Sequence, residues 1–237
     1  MSDSKTDPMK DSLNTQSKKS GQISIHAENI LPNIKKWLYS VKDIFLRELV
    51  SNAVDALHKF EKTVMYDGLD IERPEPKVTI SLDKEKGTIT FSDTGIGMSA
   101  DEIEKYINQV AFSGLEDFVN KYQDKGEDNQ VIGHFGLGFY SSFMVAHTVE
   151  IVSKSYKALS DECVSAVKWS CDGSHSFTME KTSKDEVGTD IILHIADDSK
   201  EVLEEKKVRE LLNKYAKFLA VKVKFGELPE YDSEGKE

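Results

Sequence analysis

The sequence predicts an α+β fold in which helices cover one face of a β-sheet. One long segment, from Ser40 to about Thr63, has apolar residues spaced three and four apart, as on one face of a helix. Several shorter segments alternate apolar and polar residues between turn residues, which is typical of strands. These helical and strand-like segments mix without the regular βαβ alternation of a parallel sheet, and the sequence contains no internal repeat.

Length and net charge limit the class of protein to which the chain can belong. The chain has 237 residues, enough for one large domain or two small ones. Its 42 acidic and 31 basic residues give a net charge of −11, so it has no overall attraction to nucleic acid or to an anionic membrane. No apolar stretch is long enough to span a bilayer. Cys163 and Cys171 match neither a zinc site nor a disulfide framework, and we expect two reduced thiols in a cytoplasmic protein.

The first elements follow from local signals. Residues 1–21 are polar and predict a disordered leader. Ile23 and Ile25 alternate with polar residues and predict a short strand, and Asn29–Tyr39 predicts a short helix. Ser40 can cap the N-terminus of the long helix, which should give way to a loop over residues 66–76.

A hairpin and a capped helix come next. Val78–Leu82 and Thr88–Ser92 alternate apolar and polar residues, and Gly87 ends the turn between them. Ser99, with Glu102 three residues later, has the spacing of a capping box. A second helix is therefore predicted directly after the hairpin.

In the second half of the chain, the spacing of apolar residues changes and becomes mostly typical of strands. After an irregular, charged stretch over residues 113–132, an apolar helix is predicted from Phe139 to about Ala146. Four strands of an antiparallel meander should follow, at Val149–Ser155, Val164–Trp169, His175–Glu180 and Asp190–Ile195. An amphipathic helix over Val202–Leu219 and a last strand over Val221–Phe225 complete the expected fold.

Three polar residues, Glu48, Asn52 and Asp55, are predicted to share one stripe of the long helix. A helix turns by about 100° per residue, so positions four and seven residues after Glu48 return close to its direction. Ile44 and Phe45 flank the stripe and would partly exclude water from a carboxylate, which favours a general base. The neutral amide oxygen of Asn52 suits Mg²⁺, a hard cation. The alternative interpretation is a solvated helix face.

A second motif begins at Asp93, where the chain reads Asp-Thr-Gly-Ile-Gly. An Asp at a strand end can accept a hydrogen bond from a buried exocyclic amine. Gly95 and Gly97 would let a ligand and the backbone approach each other closely. The alternative is an ordinary turn, because Asp, Thr and Gly are common turn residues.

A third motif places Gly133, Gly136 and Gly138 directly before the predicted helix that begins at Phe139. Backbone N–H groups and the positive end of the helix dipole would meet there, as in an anion or phosphate site. No Lys-Ser/Thr pair follows, so the motif is not a Walker A loop. It is equally compatible with the hinge of a flexible loop.

Taken together and in this order, the motifs resemble those of the ATPase superfamily of DNA gyrase, the ninety-kilodalton heat-shock chaperones, sensor histidine kinases and MutL. Ile44–Leu57, Asp93–Met98 and Gly136–Ser141 are similar to the signatures of the chaperones almost residue for residue. The resemblance covers about residues 22–226 and extends to Trp169. It implies a two-layer sandwich with a largely antiparallel mixed sheet and helices on one face, the Bergerat-type ATP-binding fold.

The resemblance implies a role for each residue of the motifs. Glu48 would polarise the attacking water, and Asn52 would coordinate Mg²⁺ and so contact the phosphates of ATP or ADP. Asp93 would accept from the adenine amine, and Thr189 would support that contact through water. The other expected site residues are Met98 and Phe139 as walls of the base pocket, Gly136 and Gly138 as donors to the terminal phosphate, and Asp55 and Gly97, which complete the pocket.

The resemblance also divides the chain. Residues 1–21 would be a leader and residues 22–226 a nucleotide-binding ATPase domain with a lid at about 108–137. Residues 227–237 would begin a linker to a middle domain that this chain lacks. In the family an arginine of the middle domain completes the site, so we expect good nucleotide binding and weak hydrolysis.

Two positions depart from the pattern of the family near the expected lid. Phe112 stands where many members have a Lys that approaches the phosphates, and Tyr106 stands where an Asn is often found. We therefore expect phosphate and ribose contacts, and lid kinetics, that differ from those of other members.

As a chaperone domain, the chain would act on client proteins and form a homodimer only within the full-length protein, while the isolated domain would be monomeric. Other functions remain open at this stage. A histidine kinase would need a phosphoacceptor His upstream, and residues 1–25 contain none. A DNA-topology or mismatch-repair ATPase would need a basic region, whereas this chain is acidic to its end. A non-hydrolysing nucleotide-binding module would have no need of Glu48.

Overall fold

The computed structural model describes residues 42–108, 138–161, 163–174, 176–217, 219 and 221–226. The predicted leader, the strand at Ile23 and Ile25, the helix over Asn29–Tyr39, Gly136 and nearly all of the expected lid lie outside the described residues. Within the described part, the chain has the predicted α+β architecture, in which helices pack on a single mixed sheet.

The described strands form one sheet in the order β5-β4-β3-β6-β2-β1-β7. Every neighbouring pair is antiparallel except β1 and β7, which are parallel, so the expected largely antiparallel mixed sheet is confirmed. The strands are β1 (Val78–Asp83), β2 (Thr88–Asp93), β3 (Ala146–Lys154), β4 (Ala166–Cys171), β5 (Phe177–Thr182), β6 (Gly188–Ile195) and β7 (Val223–Phe225).

The predicted meander of four strands is wrong in its last member. β3, β4 and β5 do follow one another as antiparallel neighbours, but β6 pairs with β3 and β2 instead of β5. β6 carries Ile191, Ile192 and Leu193 in succession, and such an apolar strand gains most by lying inside the sheet. β5 is mostly exposed and forms one edge.

The long helix, α1, runs over Ile44–Asp67, so both predicted ends are wrong. Residues 42 and 43 form a turn, and Asp43 occupies the N-cap position without a side-chain cap. The helix continues past Thr63 and ends at Gly68, whose φ of 61° is the left-handed conformation that a helix C-terminus favours in glycine. The stop signal was therefore the glycine, which the sequence interpretation assigned to the following loop.

The core lies between α1 and the sheet. The predicted apolar face of α1 is buried, and Phe45, Leu46 and Leu49 are completely shielded from solvent. Phe45 meets Phe91 of β2 edge to face, with ring centroids 6.2 Å apart. Because this apolar face packs on the sheet, the polar stripe of α1 is directed away from the centre of the core.

The hairpin and the capped helix are confirmed. β1 and β2 pair antiparallel, and Gly87 has a φ of 65° at the turn. Helix α2 (Ala100–Tyr106) begins with a complete capping box, in which Ser99 accepts from the Glu102 N–H and the Glu102 side chain accepts from the Ser99 N–H.

The segment after the third motif is a 3₁₀-helix over Phe139–Met144 and not an apolar helix reaching Ala146, which instead begins β3. The hydroxyls of Ser141 and Ser142 donate to the carbonyls of Gly138 and Phe139, three residues before each. Serine hydroxyls that bond to the local backbone in this way compete with regular α-helical hydrogen bonds.

The predicted helix over Val202–Leu219 is also divided. A 3₁₀-helix covers Asp197–Leu203, and helix α3 covers Glu205–Tyr215, because Glu204 between them has extended backbone with ψ of 123°. The last strand begins at Val223 and not at Val221. Among the described helices, none combines the length and the apolar character needed to cross a bilayer.

Candidate nucleotide site

The polar stripe of α1 forms one side of the candidate site. Asp55 is buried, with 5% of its surface exposed, whereas Glu48 and Asn52 are partly exposed. Glu48 Oε1 accepts hydrogen bonds from Arg47 Nε at 3.0 Å and from Arg47 Nη2 at 2.6 Å. Arg47 thus orients one oxygen of Glu48, and the second oxygen, Oε2, lies on the side of Gly138.

Gly138, the one described residue of the third motif, lies against the stripe. A Cβ built at this residue would lie 2.7 Å from Glu48 Oε2, which is closer than real Cβ contacts permit. The glycine therefore lets the backbone that begins the 3₁₀-helix approach the carboxylate. The two motifs, ninety residues apart in sequence, meet at this point.

Asp93 ends β2 and is 8% exposed. Its Oδ1 accepts from the Gly95 N–H at 2.8 Å. Burial raises the pKa of this carboxyl to about 7, and the nearby Asp190 carboxylate acts in the same direction. The Gly95 and Thr189 N–H groups and the Lys184 ammonium oppose that increase in pKa. A buried carboxyl that titrates near neutrality is common at functional sites.

Thr189 lies directly opposite Asp93 in the pairing of β6 with β2, and its role in supporting base recognition stays a prediction. On its other side Thr189 faces Ser153 of β3, and the two hydroxyl oxygens are 2.8 Å apart. Asp93, Thr189 and Ser153 thus form a row across three neighbouring strands, and all three are buried. Ser153 was not predicted as a site residue from the sequence. The only local sign of its role is that a serine occupies an inward-facing position in an otherwise apolar strand.

The turn after Asp93 is packed between α1 and the end of β3. A Cβ at Gly95 would lie 2.6 Å from the Ala56 carbonyl carbon, and the Ile96 N–H donates to the Ala56 oxygen at 3.1 Å. Gly97 has a φ of 62°, and a Cβ there would lie 1.9 Å from the Lys154 oxygen. Both glycines are required by close backbone approach.

The two residues expected to enclose the base have different surroundings. Met98 is partly exposed, and its N–H donates to Ser153 Oγ at 2.8 Å. Phe139 is 6% exposed and packs edge to face against Trp169, with ring centroids 5.7 Å apart. Phe139 therefore contributes to the aromatic core beside the site, and its contact with a base stays a prediction.

Helix α1 connects the two ends of the site. Glu48 and Gly138 meet near its beginning, and the turn that follows Asp93 contacts it at Ala56. The helical rise places these two positions about 12 Å apart along the axis. One end of the site is therefore a carboxylate beside a glycine backbone, and the other end is a buried hydrogen-bond acceptor. A nucleoside triphosphate could bind with its phosphates at the first end and its base at the second.

The donor chemistry of the stripe also fits a magnesium ion that is bound through phosphates. Asn52 offers a neutral amide oxygen on the same face of the helix as two carboxylates, and Mg²⁺ prefers oxygen ligands. In the described ranges no group of three or more His, Cys, Asp or Glu side chains is arranged to hold a metal ion.

Comparison with known proteins agrees with this geometry. Residues 39–202 match the family model described as histidine kinase-, DNA gyrase B- and HSP90-like ATPase. The chain is 54% identical over 211 residues to chaperone protein HtpG of Bacteroides thetaiotaomicron and 47% identical over 213 residues to that of Porphyromonas gingivalis. It is 44% identical over 192 residues to HtpG of Shewanella pealeana.

These alignments cover 89%, 90% and 80% of this chain, but only 30% of each relative, so the chain spans about a third of their length. The family match and the identities agree with the resemblance drawn from the three motifs. The chain belongs to the family of histidine kinase-, DNA gyrase B- and HSP90-like ATPases, and its similarity to the HtpG chaperones extends over most of its length.

Proposed function

We propose that this chain is the ATP-binding domain of a molecular chaperone, and that it binds ATP or ADP with magnesium and by itself hydrolyses ATP slowly. The observation that carries the proposal is the placement of Glu48 against the Gly138 backbone at one end of α1, with buried Asp93 near the other. The similarity to HtpG chaperones supports the same assignment.

Asp93 is proposed to recognise the adenine amine. A donor that approaches its carboxylate favours the charged form, so nucleotide binding should lower the pKa of Asp93 from about 7. Thr189 lies opposite it across the sheet and Gly97 lies in the turn that follows it, and both are proposed to complete the base pocket together with Met98. Binding near neutral pH should then release a proton.

Glu48 is proposed as the general base of hydrolysis. Its carboxylate is partly shielded, with 26% of the side chain exposed, and Arg47 holds one of its oxygens. Gly138, and Gly136 outside the described residues, are proposed to donate backbone N–H groups to the terminal phosphate. Asn52 would coordinate magnesium, and Asp55 would form part of the polar wall of the pocket. When bound, the ion supplies positive charge that neutralises the phosphates.

The domain organisation, the partners and the location of the protein are proposed on the same basis. We propose that residues 22–226 form the nucleotide domain with a lid at about 108–137, and that 227–237 lead towards a further domain. Because the chain spans 30% of its HtpG relatives, client binding and homodimerisation are proposed for a longer protein. A cytoplasmic location, without nucleic-acid or membrane partners, suits the net charge of −11.

Calorimetric titration with ADP and Mg²⁺ tests the binding proposal. We expect saturable binding of one nucleotide per chain by the wild type and by Asp101→Asn, a control at an exposed acidic residue of α2. Asp93→Asn should abolish binding while retaining a cooperative thermal transition. Absence of binding by folded wild type, or normal binding by Asp93→Asn, would contradict the proposed site.

Hydrolysis is tested separately with Glu48→Gln. This variant keeps the shape and polarity of the side chain but removes its basicity, so it should bind ADP normally and lose the residual ATP turnover. Turnover by Glu48→Gln equal to that of the wild type would remove Glu48 from the proposed mechanism. Rapid hydrolysis by the wild-type monomer would contradict the expectation of weak activity.

A further inference from the structure

Ser153 is a buried residue of β3 with an unusually complete set of partners beside the proposed base pocket. Its surface is 0% exposed. Its hydroxyl oxygen accepts from the Met98 N–H at 2.8 Å and lies 2.8 Å from the Thr189 hydroxyl oxygen. The Gly188 carbonyl oxygen is 3.3 Å away. A single hydroxyl therefore joins the turn after Asp93 to β6.

The residues that follow Ser153 also hold that turn. The Lys154 carbonyl occupies the space that a side chain at Gly97 would need. Two residues further along the chain, the Tyr156 N–H donates to the Ile96 oxygen at 2.9 Å. Main-chain contacts thus fix Ile96 and Gly97, and the Ser153 hydroxyl satisfies the next N–H of the turn, that of Met98.

The proton of Ser153 determines what Thr189 can offer to a ligand. Ser153 has one hydroxyl hydrogen, and the shorter of its two possible donor contacts is the one to Thr189. When Ser153 donates to Thr189, the Thr189 hydrogen is free to point along the row towards Asp93 and a ligand. When Thr189 donates to Ser153 instead, Thr189 presents only its oxygen.

We propose that Ser153 is a positioning residue for base recognition, which orients the Thr189 hydroxyl beside Asp93 and holds the main chain at Met98. The ligand class is a purine nucleotide whose base both donates and accepts hydrogen bonds at its edge. This inference rests on the proposed function, because it concerns the same pocket. Ser153 itself need not touch the nucleotide.

The test is a calorimetric titration of the whole chain with ADP and Mg²⁺. Ser153→Ala should weaken binding about tenfold, since it removes the orienting bond and leaves the part-buried Met98 N–H without its acceptor. Ser153→Thr restores the hydroxyl and should bind within about twofold of the wild type. Ser155→Ala is a matched control, because Ser155 is equally buried and its hydroxyl has no hydrogen-bond partner among the described residues.

A double-mutant cycle with Thr189→Val separates positioning from a general structural role. If Ser153 acts through the Thr189 hydroxyl, the loss caused by Ser153→Ala should fall from about tenfold to about threefold or less in the Thr189→Val background. An unchanged loss in that background would overturn the positioning role. Should Ser153→Ala fail to fold, Ser153→Cys, whose thiol bonds weakly, should show an intermediate loss, and wild-type affinity in that variant would overturn the proposal.

The two proposals fail in different ways. If folded wild type does not bind ADP, the proposed function is wrong, and the role of Ser153 in base recognition is rejected together with it. If the wild type binds and Ser153→Ala binds equally well, the nucleotide site stands and the role of Ser153 is rejected.

Discussion

Replacement of Asp93 by Asn should stabilise the nucleotide-free protein at pH 8, although it removes the proposed ligand acceptor. Burial raises the pKa of Asp93 from its ordinary value of 3.8 to about 7. This difference in pKa corresponds to a loss of about 4 kcal/mol in the free energy of unfolding when the carboxyl is charged. Asn can still accept from the Gly95 N–H, and the pKa of about 7 already includes the hydrogen bonds that favour the charged form, so most of this free energy should be recovered in the variant.

The sign of the pH dependence follows from the direction of that pKa change. Between pH 3.8 and about 7 the folded protein holds a proton that the unfolded chain releases, so the contribution of Asp93 to stability falls as pH rises. Asp93→Asn has no such proton. The stability of the variant relative to the wild type should therefore increase by about 1 kcal/mol from pH 6 to pH 8.

Urea unfolding without nucleotide, followed by circular dichroism at pH 6, 7 and 8, measures this difference. The series stops at pH 6 because the isoelectric point is about 5.1 and solubility falls near it. Asp101→Asn, at an exposed position, should show no such pH dependence relative to the wild type. A relative stability of Asp93→Asn that stays constant from pH 6 to pH 8 would refute the buried-carboxyl argument.

Three further predictions concern other contacts. Gly138→Ala places a methyl group 2.7 Å from Glu48 Oε2 and should displace this carboxylate. The rate of single-turnover ATP hydrolysis should then fall about tenfold or more, while the ADP affinity measured by calorimetry changes little. Equal losses of rate and affinity would contradict this prediction. Ser99→Ala removes the cap of α2 and should lower the free energy of unfolding in urea by about 1 kcal/mol. Trp169→Phe loses the indole bond to Asn108 at 2.9 Å and should cost about 1–2 kcal/mol in the same assay, whereas an unchanged midpoint would make that bond unimportant.

Local sequence was sufficient for much of the candidate site. The period of α1 correctly predicted that its apolar face is buried, but it did not predict that Asp55 of the polar stripe is buried as well. Gly95 and Gly97 were expected to allow close approach of a ligand to the backbone, and the structure shows that they allow close approach of neighbouring backbone at Ala56 and Lys154. The apolar face of a helix depends on neighbours within a few turns of the chain, so it can be read from spacing.

What could not be predicted depends on distant partners. The order of β6 in the sheet, and with it the row of Ser153, Thr189 and Asp93, arises from pairing between segments far apart in sequence. The raised pKa of Asp93 could not be predicted either, because it follows from burial by those strands. The 3₁₀-helix at Phe139–Met144 was missed for a local reason, since serine hydroxyls bonded to the backbone were not weighed against apolar spacing.

The central place of β6 has a consequence for how the chain reaches its fold. Among the described strands, β6 joins two groups, β5-β4-β3 on one side and β2-β1-β7 on the other. During synthesis, β1 to β5 all emerge before the strand that unites them. Pairing between such distant segments is slow because a long loop must first close. The adenine end of the proposed site should thus be among the last parts to form. A nascent chain that stops before Gly188 would present two unjoined sheets with exposed edges, and such edges are natural substrates for chaperones.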